Sequence, residues 1–105
     1  MNRATLLGNI GNDPEIINLE SGSKIAKFSL ATNKSYKNAQ GEKVNETQWH
    51  NIVCFGKLSD VVEQHFQKGK KMLVEGEITT RSWDDKEGNK RYITEIVMSN
   101  FEFAG

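Results

Sequence analysis

Residues 47–57 have the sequence Thr-Gln-Trp-His-Asn-Ile-Val-Cys-Phe-Gly-Lys, in which two kinds of side chain alternate. Successive residues of a β-strand point to opposite faces of a sheet. One face of this predicted strand carries Trp49, Asn51, Val53 and Phe55, and the other carries Gln48, His50, Ile52 and Cys54. The face with Ile52 and Cys54 suits a core because both side chains are apolar. The face with Trp49 and Phe55 suits the stacking of flat rings.

The rings of this strand allow two interpretations. Every nucleic-acid base has a π-face, and a base stacked on an aromatic side chain contributes roughly 1–3 kcal/mol to binding. Alternatively, Trp49 and Phe55 are core residues, which is the simpler interpretation of one strand taken alone. The rest of the chain has to distinguish between the two.

The length of the chain indicates a single domain over residues 1–105. A chain of this size is long enough for a core of its own, but the core is small, so oligomerisation would be unsurprising. Lysine plus arginine number 14 and aspartate plus glutamate number 14, so the overall charge does not indicate a nucleic-acid partner. Only the distribution of charge can do so.

Other features of the composition exclude several classes of protein. One cysteine forms neither an internal disulfide nor a Cys-cluster metal site, and the two histidines are far apart, so we predict no metal and no cofactor. No apolar run reaches the roughly 18 residues of a membrane span, and the start lacks the apolar core of a signal peptide. A soluble, intracellular protein is therefore expected.

Toward the N-terminus, strand and turn signals alternate. Residues 4–10 form an apolar strand that ends at the turn-forming residues 11–14, and a weaker strand follows at 15–19. Alternating apolar residues over 26–30 predict a strand with one buried face. Residues 33–46 are polar and rich in turn formers, which predicts a long loop and not a tight hairpin.

Toward the C-terminus, the first element is a helix. Apolar residues recur at helical spacing over 57–68, with Ser59 as a candidate N-cap and Gly69 as the stop. His65 lies on the apolar stripe and is predicted to be a packing residue. This is the only helix that the sequence predicts.

Two more strands complete the chain. One begins at Met72 and carries Arg81 and Trp83 on the same face, and Gly76 within it predicts a bulge or bend. A charged hairpin loop at 84–90 leads to the last strand, 91–98. Without the weaker strand at 15–19, the order is three strands, a helix and two strands. This order predicts a mostly all-β fold, the five-stranded OB-fold barrel with one helix between strands 3 and 4. Such barrels bind oligonucleotides or oligosaccharides.

Aromatic residues lie beside cations in four segments of the chain. The pairs are Tyr36 with Lys34 and Lys37, Trp49 and Phe55 with Lys57, Trp83 with Arg81, and Tyr92 with Arg91. Single-stranded nucleic acid needs rings for its bases and cations for its phosphates. The alternation of its strand places Trp83 outward, whereas core or interface positions are predicted for Phe28, Phe66, Tyr92, Phe101 and Phe103.

Catalytic and metal-binding chemistry has little support in the sequence. Cys54 lies on the aliphatic face, where a thiol is usually inert, and no Ser, His and Asp follow a recognisable motif, so no enzyme is predicted. Asp84 and Asp85 lie among lysines and fit a solvated loop tip better than a cation site. Gly8-Asn-Ile-Gly11 has the spacing of a GXXG clamp but ends a strand.

These motifs in combination resemble the bacterial single-stranded DNA-binding proteins along almost the whole chain. The matching segments are Asn2 to Glu15, Phe28 to Thr32, Thr47 to His50, Phe55 to Lys57, Lys68-Gly69, Val74 to Gly76, Arg81 to Trp83 and Arg91-Tyr92. The resemblance implies an OB-fold homotetramer in the cytoplasm, associated with the nucleoid. It also implies binding of single-stranded DNA without strong sequence preference, and its protection during replication, recombination and repair.

The resemblance also implies roles for individual residues. Base stacking would fall to Trp49, Phe55, Trp83 and, where many members have Trp, Tyr36; phosphate neutralisation would fall to Arg3, Lys34, Lys37, Lys57 and Arg81. Asn51 and Ser82 replace positions that are basic in some members, so fewer phosphate contacts are expected. His50 and the first strand, including Leu6, would lie in contacts between subunits.

One departure from the family concerns the end of the chain. Members usually continue into a flexible tail that ends in acidic residues and recruits other replication and repair proteins, whereas this chain stops at Phe103-Ala-Gly105. Two explanations are open, a tailless variant or a truncated form, so the resemblance does not extend to partner recruitment through a tail. Two alternatives remain open: an OB-fold protein-interaction module of a primosome or replication complex, and an oligosaccharide-binding or hydrolytic OB enzyme.

Overall fold

In the computed structural model of the chain, residues 1–105 form six strands and one helix. In order these are β1 (Ala4–Ile10), β2 (Glu15–Asn18), β3 (Lys24–Lys37), β4 (Lys43–Phe55), α1 (Lys57–His65), β5 (Lys71–Asp84) and β6 (Lys90–Phe103). The sheet order is β1-β5-β6-β4-β3-β2, and a further pairing of β1 with β3 closes the barrel. The predicted five-stranded OB-fold is confirmed, with β2 as one extra strand and α1 between the third and fourth strands of the barrel.

The barrel is filled by the strand faces that the alternation predicted to be buried. The core consists of Ile10, Ala26, Phe28, Leu30, Ile52, Cys54, Val62, Phe66, Met72, Val74, Ile96 and Met98. Val53 is also buried, although it lies on the predicted outer face of β4, because β4 is flanked at this position by Lys27 of β3 and Val97 of β6. Burial of Ile52 and Cys54 turns Trp49 and Phe55 outward.

The segment 33–46 is a hairpin and not the long loop that was predicted. Strands β3 and β4 remain paired from Asn33 opposite Thr47 to Lys37 opposite Lys43. Cross-strand contacts between polar side chains accompany this pairing, such as Ser35 Oγ to Asn45 Oδ1 at 2.6 Å. The sequence lacks the apolar alternation of a strand here because the extension lies outside the core.

The helix begins and ends differently from the prediction. Gly56 occupies the N-cap position with φ 66°, and Ser59 is a fully buried residue inside the helix. The Ser59 hydroxyl lies 3.0 Å from the carbonyl oxygen of Cys54 and 3.1 Å from that of Lys24, so it joins the helix to β3 and β4. Phe66 is already extended, which turns its ring into the core and leaves His65 exposed, contrary to its predicted packing role.

The bulge predicted at Gly76 is confirmed. The β5–β6 register shifts between Glu75 and Gly76. A Cβ atom on Gly76 would lie 2.1 Å from the carbonyl oxygen of Val97, so only glycine allows the two strands to approach this closely.

The charged hairpin between β5 and β6 is also confirmed, but Asp85 organises it. Its Oδ1 accepts hydrogen bonds from the backbone N–H groups of Glu87 and Asn89, and its Oδ2 lies 2.9 Å from Arg91 Nε. These hydrogen bonds, that from the Asn89 backbone foremost, hold the pKa of Asp85 below its usual value. The tip is therefore built around this carboxylate.

Candidate nucleic-acid interface

Four aromatic side chains are exposed on the strands where stacking was predicted. The exposed fractions are 57% for Trp49, 54% for Phe55, 44% for Trp83 and 39% for Tyr36. The alternative that Trp49 and Phe55 belong to the core is therefore wrong. Rings left in water at these positions can accept other rings on their faces.

The Trp49 indole rests on a glycine. A Cβ atom on Gly11 would lie 2.2 Å from Cζ3 of Trp49, so the ring occupies the space that a side chain would fill. Trp49 lies opposite Ala31 on β3, and the Gly11 backbone N–H donates to the Ser29 carbonyl oxygen at 2.9 Å. Sequence reasoning assigned Gly11 to a turn and missed this contact, which joins residues far apart in the chain.

A groove on the barrel surface is lined in part by β4 and β5, the two strands that carry Trp49 and Trp83. It consists of two adjoining cavities of about 340 and 370 Å³ that share Lys27, Arg81 and Glu95. The first is mostly polar and includes Asn12, Ser29 and Asn51, whereas the second is more apolar and includes Ile25, Val53 and Phe55. We call these two cavities the central groove. Trp49 lies two residues before Asn51, and Trp83 two residues after Arg81, so the indoles flank it.

Arg81 connects the groove to a tryptophan. Its Nε lies 2.9 Å from Glu95 Oε1, and its guanidinium carbon lies 5.4 Å from the centre of the Trp83 ring. The hydrogen bond with Glu95 raises the pKa of the Arg81 guanidinium, which is charged at any ordinary pH. Neither Glu95 nor Lys27 was predicted from the sequence, because neither lies next to an aromatic residue in the chain.

Tyr36 is held at the outer part of the β3–β4 hairpin. Its hydroxyl donates to Glu46 Oε1 at 2.8 Å, and Lys34 Nζ lies 5.4 Å from the ring centre. The hydrogen bond to Glu46 raises the pKa of the Tyr36 phenol. The hydroxyl is thereby fixed, and the hairpin carries a ring and a cation together, as the sequence predicted.

The predicted phosphate-binding cations differ in whether they have an acidic partner. The ion pairs of the structure are Lys24 with Asp60 and Glu63, Arg81 with Glu95, and Arg91 with Asp85. Arg3, Lys34, Lys37 and Lys57 are exposed and unpaired. These four have no acidic partner that competes with a phosphate, whereas the Nε of Arg81 is already bonded to Glu95.

The residues predicted to contact other subunits lie on β1 and β4. His50 is partly buried, and its Nε2 lies 2.9 Å from Thr32 Oγ1. Leu6 packs against the core, whereas its neighbour Leu7 is exposed. The roles of His50 and Leu6 between subunits stay predictions.

Two of the aromatic residues predicted to be core or interface are exposed in this chain. Tyr92 is 65% exposed and therefore is not a core residue. Phe103 is also exposed, but its ring packs edge-on against Phe66 and Phe101 at 5.8 and 5.6 Å. Phe28 and Phe66 are buried as predicted.

Two observations concern chemistry other than nucleic-acid binding. Burial raises the pKa of the Cys54 thiol, which disfavours the thiolate that a nucleophile needs. No group of three or more His, Cys, Asp or Glu side chains is arranged to hold a metal ion. The single helix is too short to cross a membrane.

Comparison with known proteins agrees with this geometry. The family model described as "Single-strand binding protein family" matches residues 1–104. The "Single-stranded DNA-binding protein 1" of Chlorobaculum tepidum is 42% identical over the whole chain, which spans 65% of that relative's length. A solved structure described as "Plasmodium falciparum SSB complex with ssDNA" superimposes with a TM-score of 0.92 at 33% identity, covering all of this chain and 96% of that one. The chain belongs to the single-strand binding protein family.

Proposed function

We propose that this protein binds single-stranded DNA without strong sequence preference. The observation that carries the proposal is the exposure of Trp49, Phe55 and Trp83 around the central groove, with cations beside them. Stacking on aromatic side chains accepts any base, because every base has a π-face. The names of the matched relatives, one a single-stranded DNA-binding protein and the other a complex with single-stranded DNA, support the same role.

The strand would be held by two kinds of contact. Trp49, Phe55, Trp83 and Tyr36 stack bases, and Arg3, Lys34, Lys37, Lys57 and Arg81 neutralise phosphates. The family is non-enzymatic, so binding and protection of the strand constitute the activity.

The cellular role and assembly follow the same proposal. We infer protection of single strands during replication, recombination and repair in the cytoplasm, by a homotetramer whose contacts involve His50 and β1. The exposed Leu7 beside Leu6 supports contact between subunits along β1, since an apolar side chain on a barrel strand gains from being covered. Native mass spectrometry would test the assembly, and a mass of one subunit at micromolar concentration would contradict it.

Titration with oligo-dT tests the function directly. Both tryptophans flank the groove, so binding should strongly quench the intrinsic fluorescence at low salt. An unlabelled protein that shows no quenching and no mobility shift with a long oligo-dT would overturn the proposal. Competition by oligo-dT would also separate it from an interaction module that uses the same rings to bind protein.

A further inference from the structure

The buried side chains of this protein include one charged group, and it lies in the central groove. Glu95 is 7% exposed and lines both cavities, where a polyanion is proposed to bind. A buried carboxylate is costly unless it is paired, and a negative charge in this place repels phosphate. Its position therefore calls for a role that outweighs the repulsion.

The only ion pair of Glu95 is with Arg81, and it leaves most of the guanidinium free. Arginine has five N–H donors. Glu95 takes the one on Nε at 2.9 Å, and the four on the terminal nitrogens have no partner in the structure. The free donors lie at the exposed end of the pair, because the Arg81 side chain is 53% exposed and that of Glu95 is 9% exposed.

Strand register explains why Arg81 takes this orientation. Glu95 lies opposite Thr79, and Arg81 lies opposite Ile93, so Arg81 and Glu95 are diagonal neighbours on one face of the β5–β6 pair. Diagonal neighbours are within reach of long side chains. The Arg81 side chain therefore leans along the strand toward Glu95 while its guanidinium remains 5.4 Å from the Trp83 ring.

We propose that Glu95 is a positioning residue for DNA binding: it fixes the Arg81 guanidinium so that one side supports the Trp83 indole and the free N–H donors meet a phosphate. This inference rests on the proposed function. An arginine fixed in this way loses less side-chain entropy when it binds a phosphate. A planar guanidinium beside an indole also limits the orientations of that ring.

The inference predicts that removing a negative charge from an anion-binding groove weakens binding. Glu95→Gln should reduce oligo-dT affinity roughly threefold to tenfold. This loss is smaller than that expected when a whole stacking side chain is removed. The matched control is Glu77→Gln on the same strand pair, because Glu77 is exposed, has no ion pair and lies opposite Val97 of the groove. Glu77→Gln should leave affinity unchanged or raise it. Equal affinities of the two variants would overturn the inference.

A double-mutant cycle tests whether Glu95 acts through Arg81. In an Arg81→Gln background, Glu95→Gln should cause no further loss and should raise affinity slightly, because only the repulsion remains to be removed. The same loss in both backgrounds would show a purely structural role and overturn the inference. Wild-type binding has to be measured first, since its absence would refute the proposed function, whereas binding with equal variants refutes only this inference.

Two further measurements keep the inference testable should Glu95→Gln fold poorly. Arg81→Lys keeps the charge at an exposed site but lacks the planar group, so it should lose affinity with an unchanged melting temperature. Trp49→Phe leaves Trp83 as the only tryptophan. Acrylamide should quench the Trp83 fluorescence more strongly in the Trp49→Phe, Arg81→Lys double variant than in the Trp49→Phe parent. Affinity and quenching equal to the parent would overturn the inference.

Discussion

At the scale of residues, the space above Gly11 is what positions the Trp49 indole. Gly11→Ala would place a methyl group 2.2 Å from Cζ3 of Trp49, and the exposed ring has to move outward. We expect loss of part of the roughly 1–3 kcal/mol that one stacking platform contributes, with a smaller effect on folding. Oligo-dT titration and thermal unfolding measure the two effects. Gly105→Ala is the control, because its methyl group meets Lys71 at an ordinary 3.5 Å; equal affinities of these two variants would contradict the prediction.

Removing a ring tests stacking more directly. Trp49→Ala and Trp83→Ala should each weaken oligo-dT binding by roughly 1–3 kcal/mol while the melting temperature changes little, because both side chains are exposed. Tyr92→Ala is the matched control, since Tyr92 is more exposed than either indole and lies opposite Ser82, on the other face of the hairpin from Trp83. Unfolding of the tryptophan variants, or an equal loss for Tyr92→Ala, would show that the stacking assignment is wrong.

Asp85 provides a prediction for acid stability. Its pKa is lower in the folded than in the unfolded chain, so its stabilising contribution exists above the unfolded value of about 3.9 and is lost as pH falls through the folded value. Asp85→Asn removes this titration, and its melting temperature should fall less steeply than that of the wild type below about pH 4. Asp84→Asn, a neighbour without these hydrogen bonds, should keep the wild-type slope. Parallel curves for all three proteins would contradict the assignment.

At the scale of elements, the outer part of the β3–β4 hairpin is separable from the barrel. Deleting residues 34–37 and 43–46 removes four cross-strand pairs and preserves the register of the rest. None of the eight side chains is buried, so the melting temperature should change little, while affinity falls because Tyr36 and three lysines are lost. A variant with only Lys34 and Lys37 changed to Gln separates charge from stacking. Unchanged affinity after the deletion would exclude this hairpin from the interface.

The elements also show how far sequence reasoning extends. Alternation over 26–30 and 47–55 predicted which strand faces are buried, because one side of each strand packs into the barrel. The hairpin at 33–46 was missed because its strands leave the core and carry no apolar signal. Gly76 was predicted as a bulge from its place within a strand, whereas Ser59 was assigned to a cap because its burial depends on β3 and β4.

In the candidate site, too, features set by alternation along one strand were predictable, whereas contacts between strands were not. Outward tryptophans and neighbouring cations were predictable, since alternation and short sequence distances suffice to place them. Glu95 and the contact of Gly11 with Trp49 were not, because each depends on a partner from another strand. Sequence alone therefore identified the rings but not the residues that hold them.

At the scale of the whole molecule, charge balance predicts the response to salt. The 14 cationic side chains are balanced by 14 acidic ones, and only five cations are proposed to contact phosphates, so few counterions are released from DNA. Each phosphate contact with a single strand adds roughly 0.7 to the slope of log affinity against log salt. The slope for oligo-dT should therefore be gentler than that of a protein with about six to ten phosphate contacts. Fluorescence titrations between low and moderate salt measure the slope. A slope as steep as that of a strongly basic protein would contradict a mechanism dominated by stacking.

The buried thiol described above also makes the protein convenient for labelling. Cys54 is the only cysteine and is fully buried, so maleimide reagents should leave the native chain unmodified. A single cysteine introduced at the exposed position Gln40 would then carry a dye at the tip of the long hairpin without background from the interior. Energy transfer from that dye to an acceptor on oligo-dT would report in real time whether the hairpin closes over the strand.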